Sequence, residues 1–241
     1  MKVFIHALIL FLVSLLSACS ETSNSDENDL KVAERAWTVL FDGKGTDALR
    51  GYGLEVFPEG IWTVEDGMLI AQPDTINIDL VSKERFADFE LEYQWAVDTA
   101  ANSGVFFHVQ EVAPMEPGNG NSPNWLNNFE IQILDDLNFY DTVAIRSAGS
   151  LYDLIAPTNK ELKPIGEFNN ASLVCQDGKV THTLNGKKVL EFTIGSKELN
   201  EKIANSKFSE NPSFATDKEG HLMFQHHGQK VYFKNIRVRE L

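Results

Sequence analysis

"ASLVCQDGKVTHTLNGKKVLEFTI", Ala171 to Ile194, holds three short apolar–polar alternations separated by Asp177-Gly178 and Asn185-Gly186. A period of two sends successive side chains to opposite faces of an extended chain. Asp-Gly and Asn-Gly tolerate the positive φ angles of a two-residue hairpin turn. The stretch therefore predicts three consecutive antiparallel strands. The same grammar recurs along the chain. "GIWTVEDGMLIAQ" (Gly60 to Gln72) reads as a hairpin turning at Glu65-Asp66-Gly67. "DFELEYQWAV" (Asp88 to Val97) sets Leu91, Tyr93, Trp95 and Val97 on one face, with Glu90, Glu92 and Gln94 on the other. "WTVLFDG" (Trp37 to Gly43), "SGVFFHVQ" (Ser103 to Gln110), "NFEIQILDD" (Asn128 to Asp136) and the closing Gly220 to Leu241 add further strands. Helical periodicity is confined to a short turn near Ser196 to Ile203. Many short strands with Gly-rich turns predict an all-β chain, a sandwich or a barrel. No internal repeat is visible.

The N-terminus carries a different signal. Lys2 precedes an apolar run from Val3 to Leu16, which ends in Leu16-Ser17-Ala18-Cys19. A cationic start, an apolar core too short for a comfortable span and small residues before a break form a secretory signal. The cysteine after Leu-Ser-Ala resembles a bacterial lipobox, which predicts a signal peptide over 1–18 and lipidation of Cys19. An ordinary cleaved signal with an incidental cysteine is the alternative. Residues 19–31 are polar and acidic, and read as a flexible tether that cannot bury enough surface to fold. Acidic residues behind a lipidated cysteine also resemble surface-export signals. The expectation is a protein lipid-anchored in the cell envelope at the outer membrane, with the periplasmic or outer face left open.

The globular part is expected over 32–241 as one β-sandwich domain. With Cys19 taken by lipid, Cys175 stands alone and reads as a strand thiol, so no intramolecular disulfide is available. A formal charge of -14 without a basic stripe argues against nucleic-acid binding. The membrane is expected as a partner through the lipid anchor only. The stretch from Glu111 to Asn128 is rich in Gly and Pro and contains Trp125. It predicts a structured loop over a strand edge, anchored by that tryptophan.

Strand parity selects the candidate site. Ile131 and Ile133 take the buried face of their strand, which turns Glu130 and Gln132 the other way. Val105, Phe107 and Val109 read as buried, leaving Phe106, His108 and Gln110 opposite. In the closing segment Gln225 and His227 share a face, while His226 goes with Leu222 and Phe224 and reads as packing, as does His182 beside Val180 and Leu184. If these strands adjoin, Glu130, Gln132, His108, Gln225 and His227 line one concave surface. Amides and carboxylates bond hydroxyl groups and an aromatic covers the apolar side of a ring, which suits a sugar. A solvated face of an antiparallel sheet would show the same alternation. No phosphate-binding Gly loop, His-Glu-x-x-His or Gly-x-Ser-x-Gly is present. No cofactor is indicated beyond a possible divalent cation, for which Asp135, Asp136 and Asp141 are the candidate ligands.

Taken together, several segments resemble a known family. "FDGKGTDALRGY", "WTVEDGMLIAQ", "LVSKERFADFELEYQWAV", "NSGVFFHVQ", "FEIQILDD", "AGSLYDLIAP", "KPIGEFNNASLVCQDGKVTHTLNGKKV", "SKF" and the closing segment occur in the order and spacing of the 3-keto-disaccharide hydrolases. The resemblance spans Trp37 to Leu241. It implies a concanavalin A-like jelly-roll sandwich and activity on 3-keto-glycosides in carbohydrate catabolism. Glu130, Gln132, Asp135, Tyr152, Asn169, Asn185, Gln225 and His227 fall on its motif positions. Phe168, His108 and His226 depart from the residues usual there.

A 3-keto group acidifies the hydrogen on C2, so a base can remove that proton and the enolate can expel the C1 substituent. The resemblance therefore asks for a base near C2, a partner for the C3 oxygen and an acid near the leaving oxygen. Two carboxylates are not required. His227 and Glu130 are the candidate catalytic pair, with His227 favoured as base because an imidazole titrates nearer neutrality; desolvation of Glu130 would reverse the assignment. Gln132, His108, Gln225, Tyr152, Asn169 and Trp125 are the candidate substrate-binding residues. Hydrolysis and elimination followed by hydration stay open as outcomes. A non-catalytic carbohydrate-binding lipoprotein and a conventional glycosidase are the alternative functions.

Overall fold

A computed structural model of the chain describes residues 36–111 and 127–241. The expected signal peptide over 1–18, Cys19, the tether over 19–31 and Trp125 lie outside the described residues. Thirteen strands are described. They are β1 (Thr38–Phe41), β2 (Leu49–Gly51), β3 (Trp62–Glu65), β4 (Met68–Ala71), β5 (Leu80–Ser82), β6 (Phe89–Val97) and β7 (Asn102–Val109), followed by β8 (Glu130–Leu134), β9 (Asn169–Gln176), β10 (Lys179–Leu184), β11 (Lys187–Thr193), β12 (His221–Phe224) and β13 (Val231–Glu240). They form two sheets. The larger runs β11-β10-β9-β6-β13-β4-β3, with β1 also paired to β13, and the smaller runs β2-β5-β12-β7-β8. Every pairing between these strands is antiparallel. The protein is an all-β jelly-roll sandwich.

The opening stretch folds as its turns require. Asn185 and Gly186 take φ of 49° and 79°, and Asp177 and Gly178 take 50° and 76°, so both are two-residue turns with positive φ at each central position. They join β9, β10 and β11 into a meander. On β6, Phe89, Leu91, Tyr93 and Trp95 face inward opposite Cys175, Leu173, Ala171 and Asn169 of β9. The outward Glu90 and Glu92 pair with Arg239 and Arg237 of β13. Cys175 is buried between the sheets, and burial pushes its thiol up to about 12, so it is inert packing. The expected helical turn is α1 (Lys197–Ala204). Ser196 caps it by accepting the Leu199 N–H at 3.2 Å, and Leu199 is buried.

An aromatic chain crosses the sandwich and ends below the candidate site. Phe107 stacks on Phe129 at 5.8 Å, Phe129 meets Phe214 edge-on at 5.4 Å, and Phe214 stacks on Phe208 at 4.1 Å. Burying one such ring is worth about 1.5–3 kcal/mol. Phe208 lies in the 3-10 turn Lys207–Glu210, so this packing holds that turn against the core.

Among the register shifts of the sheets, the one in β7 bears on the site. Phe106 pairs with Met223 and Val109 with His221, a register shift that inserts one extra residue into β7. His108 takes φ +55° at this bulge. The consequence is a change of face. Val105 and Phe107 join the inner core, but Val109 joins Phe106, Tyr52, Val81 and Met223 in a separate buried cluster. His108 turns inward with Phe107 and meets the core ring Phe89 edge-on at 6.0 Å. The expectation that His108 shares the groove with Glu130 is corrected by this bulge. Phe106 keeps the expected face but is completely buried among Tyr52, Val81 and Met223, so it offers no ring to a ligand.

Candidate active site

Glu130 and Gln132 project from β8, while Ile131 and Ile133 enter the core. Across the β7–β8 ladder, Gly104 faces Gln132 and Phe106 faces Glu130. Paired residues point the same way, so Asn102 and Gly104 share the Glu130 face. On the other side of β7, the Gln225 N–H donates to the Gly104 carbonyl at 2.9 Å, and Ser103 Oγ donates to the Gln225 carbonyl at 2.8 Å. These bonds carry the β12 alternation past its end. Gln225 and His227 then face the same side as Met223.

Glu130, Gln132, Gln225 and His227 line one cavity of about 240 Å³ together with Asn102, Tyr152 and Lys207. Tyr152 arrives through its backbone, whose N–H donates to the Glu130 carbonyl at 2.9 Å. Lys207 arrives from the 3-10 turn held by Phe208. Its Nζ donates to the Tyr152 hydroxyl at 2.9 Å and sits 4.1 Å from the centre of the tyrosine ring.

The two adjacent histidines divide as parity predicts. The His226 imidazole bonds the Gln72 carbonyl at 2.9 Å and accepts the Gly228 N–H at 3.2 Å, which makes Nε2 its protonated nitrogen. It also meets Trp62 edge-on at 5.8 Å, and its backbone N–H donates to Asp79 Oδ1 at 2.7 Å. His226 thereby pins the turn from which His227 reaches the cavity. His182 is a core residue, bonded to the Ser172 carbonyl at 3.0 Å, and burial pushes its pKa down to about 4.

Three amide oxygens of the cavity lack a donor among the described residues. Asn102 Oδ1, Gln132 Oε1 and Gln225 Oε1 are buried and accept no hydrogen bond from the described residues. Gln132 is oriented by its Nε2, which donates to the Arg146 carbonyl at 3.2 Å. Glu130 is only 5 % exposed, and burial raises its pKa to about 8. Lys207 opposes that rise and Asp79 adds to it. The Tyr152 hydroxyl is pushed up to about 12 by burial and by the Glu130 charge. Burial lowers the Lys207 pKa against the pull of Asp153, Glu130 and Asp141.

Several expected residues lie elsewhere. His108 bonds the Ala87 carbonyl at 2.7 Å inside the sandwich, and burial lowers its pKa. Asn169 lines a different cavity, of about 480 Å³, with Trp95, Leu134 and Lys160. Its Oδ1 accepts the Lys163 N–H at 3.0 Å and the Asn185 amide at 2.8 Å, so it fixes a loop and a turn. Trp125 lies outside the described residues.

The candidate cation ligands do not converge. Asp135 accepts from the backbone of Ala100, Leu137 and Asn138, Asp136 pairs with Lys160, and Asp141 pairs with Arg146. Among the described residues no three His, Cys, Asp or Glu side chains gather. Residue types alone did not point to Asn102 or Lys207. Parity from Gly104 would have found Asn102. The only local mark of Lys207 was its place beside an apolar Phe208 in one of the segments that carry the family resemblance.

Comparison with known proteins now bears on this geometry. The family described as the 3-keto-alpha-glucoside-1,2-lyase-like domain matches residues 36–239. A 3-keto-disaccharide hydrolase of Bacteroides thetaiotaomicron is 33 % identical, over 92 % of this chain and 84 % of that protein. The crystal structure of a candidate glycosyl hydrolase from Parabacteroides distasonis superposes with a TM-score of 0.75 at 28 % identity, covering 88 % of this chain and 97 % of that one. A Bacillus subtilis protein with a galectin-like fold superposes with a TM-score of 0.50 at 14 % identity, over 90 % of this chain and 92 % of its own, which bears on the fold alone.

Proposed function

The chain belongs to the 3-keto-alpha-glucoside-1,2-lyase-like family, and on that premise we propose that it is an enzyme of carbohydrate breakdown that cleaves 3-keto-glycosides by removing the C2 proton. The observation that carries this reading is that, among the described residues, a single carboxyl, Glu130, faces a small cavity that also presents three amide oxygens without donors. A sugar ring supplies the missing donors from its hydroxyl groups. Conventional glycosidases flank the scissile bond with two carboxyl groups, and among the described lining residues Glu130 is the only one. The cavity is smaller than the ~300 Å³ at which drug-sized sites begin, so it suits one ring with the aglycone outside.

Glu130 is the base in this scheme. Its burial reverses the preference for His227 that residue type alone suggested, because a carboxyl titrating at about 8 is a stronger base than an ordinary one. The C2 proton goes to the Glu130 carboxylate, and the C–H electron pair forms the enolate with negative charge on the C3 oxygen. That charge then returns to rebuild the C3 carbonyl, a C1–C2 double bond forms, and the C1–O bond to the aglycone breaks. His227 supplies the proton to the leaving oxygen. Water added at C1, with a proton returned to C2, completes hydrolysis. Release without that addition is the lyase outcome.

The test is incubation of the purified protein with a 3-keto-disaccharide and with its unoxidised parent, following released sugar. Release from the keto substrate alone is expected. Release from the parent at an equal rate would replace this reading with a conventional glycosidase, and binding without release from either would replace it with a binding protein.

A further inference from the structure

His227 and Gln229 flank Gly228, which takes φ of 90°, a conformation that glycine adopts without strain. The turn brings the two side chains together, so that Nδ1 of the His227 ring lies 3.1 Å from Gln229 Oε1. An amide oxygen can only accept, so the His227 Nδ1–H is the donor. Among the described residues this is the one hydrogen bond of the Gln229 side chain. His227 lines the Glu130 cavity, while Gln229 stands behind it. We infer that Gln229 is a positioning residue for the acid step: by holding the Nδ1 proton it keeps Nε2 of His227 as the nitrogen that delivers a proton to the leaving oxygen. This rests on the C2-deprotonation reading above and adds to it what fixes the acid.

Three features support it. First, the two ring nitrogens are not equivalent, because the one that bonds an outside acceptor leaves the other for chemistry. With Nδ1–H committed to Gln229, the imidazolium gives up its Nε2 proton. The Nε2–H bond breaks, an O–H bond forms on the leaving oxygen, and the C1–O bond parts. The neutral ring left behind is the Nδ1–H form that Gln229 already binds, so that bond persists through the transfer. Second, Gln229 is neutral. A carboxylate in its place would favour the charged ring and weaken it as an acid, whereas an amide oxygen orients the ring without adding charge. The ionisable groups facing His227 are Glu130, Tyr152 and Lys207 across the cavity, and His226 beside it. Third, the turn is held in place. The Gly228 N–H donates to His226 Nδ1 at 3.2 Å, the His226 ring bonds the Gln72 carbonyl at 2.9 Å, and Asn77 Oδ1 lies 3.5 Å from where a Gly228 Cβ would stand.

Two measurements test it, one of them without substrate. Imidazole nitrogen NMR at a pH where the ring is neutral reports which nitrogen of His227 carries the proton, with His227→Phe identifying the signal. Wild type, Gln229→Met, Gln229→Ala and Gln229→Glu are compared, each first checked for folding. The Nδ1–H form is expected in wild type and in Gln229→Glu, and a mixture of both forms in Gln229→Met. The second measurement varies the leaving group. A 3-keto-disaccharide expels an alkoxide that needs a proton, while a 4-nitrophenyl 3-keto-glucoside expels a weak base that leaves without one. Gln229→Met is expected to lower kcat on the disaccharide by about 10- to 100-fold, with KM changed less than about threefold. Its loss on the nitrophenyl substrate should be less than about threefold, because no acid is required there. Glu130→Gln should slow both substrates. Gln229→Ala, which shortens a partly exposed side chain, decides the matter if Gln229→Met does not fold.

An unchanged Nδ1–H form in both Gln229→Met and Gln229→Ala would overturn the hold on the ring. An equal loss on the two substrates, or a rise in KM with unchanged kcat, would overturn the acid step in favour of a structural or binding role, with the Glu130 reading left standing. Wild type that cleaves neither keto substrate while His227 keeps its Nδ1–H would overturn the underlying function, and the acid step with it.

Discussion

Glu130 lies over Gly104 so closely that a Cβ on that glycine would stand 2.1 Å from Oε1 and 2.8 Å from Cδ of the carboxyl. The absent side chain is the space the carboxyl occupies. Gly104 belongs to the middle of β7, where glycine lacks a side chain to pack and weakens a strand. The close approach explains its presence.

Gly104→Ala should therefore displace the carboxyl rather than be absorbed. The expected result is a loss of about 100-fold or more in kcat/KM with a 3-keto-glycoside, accompanied by destabilisation of about 1–3 kcal/mol from overpacking. Steady-state kinetics and denaturant unfolding check the two effects. Near wild-type turnover in the alanine variant would show that the placement of Glu130 is irrelevant to the reaction.

Glu130 should reveal its burial through pH. Its pKa is raised from the ordinary 4.5 to about 8, with Lys207, Asp79, Tyr152 and His227 as the facing groups. Between those values the folded protein binds more protons than the unfolded chain, so this group makes stability fall as pH rises. Glu130→Gln removes that dependence. The variant should gain on wild type by on the order of 1–3 kcal/mol between pH 5 and 8, while losing about 100- to 10,000-fold in turnover. Wild-type kcat/KM should climb with pH and level off near 8. Parallel stability curves for the two proteins across that range would contradict the burial of an ionisable carboxyl.

Gln132 and Gln225 should separate binding from stability. Each holds a buried amide oxygen that no donor among the described residues satisfies. Leucine at 225 removes an unsatisfied oxygen, so stability should change by less than about 1 kcal/mol or improve, while leucine at 132 also forfeits the bond to the Arg146 carbonyl and should cost about 1 kcal/mol. KM for a 3-keto-glycoside should rise about 10-fold or more as a hydroxyl loses its acceptor. Calorimetric unfolding and initial-rate kinetics measure the two sides; an unchanged KM in both variants would remove these amides from the site.

His182 predicts the acid limit of the fold. It is buried and neutral with its pKa pushed down to about 4, from an ordinary 6.5. Below 6.5 the unfolded chain takes up a proton that the folded core refuses. Stability is therefore lost as pH falls from 6.5 towards 4. His182→Leu forfeits the bond to the Ser172 carbonyl, about 1 kcal/mol at neutral pH, but its stability should fall less steeply over that window. Urea midpoints at pH 7, 6, 5 and 4 test the slope; identical slopes would mean that His182 is protonated in the folded state.

The sandwich and half of its site follow from rules that act over a few residues. Alternation of period two assigned Ile131 and Ile133 to the core and Glu130 and Gln132 to the opposite face, and it separated His226 from His227. The Asp-Gly and Asn-Gly pairs set the hairpins because only a few residues accept positive φ there. These preferences are written in the local chain, so sequence alone determined them.

Tertiary structure decided what depends on neighbours distant in the chain. One extra residue in β7 reverses the face of His108, since parity carries only as far as the ladder stays regular. Asn169 is taken by Lys163 and Asn185, a use of its amide that no spacing announces. The pKa of Glu130 comes from burial by surrounding elements and from the fields of Asp79 and Lys207, not from its own strand. Lys207, 55 residues from Tyr152, reaches it only because an aromatic chain through the core docks the intervening turn. Local chemistry could name the strand faces, but the charge balance of the cavity existed only once the sheets had packed.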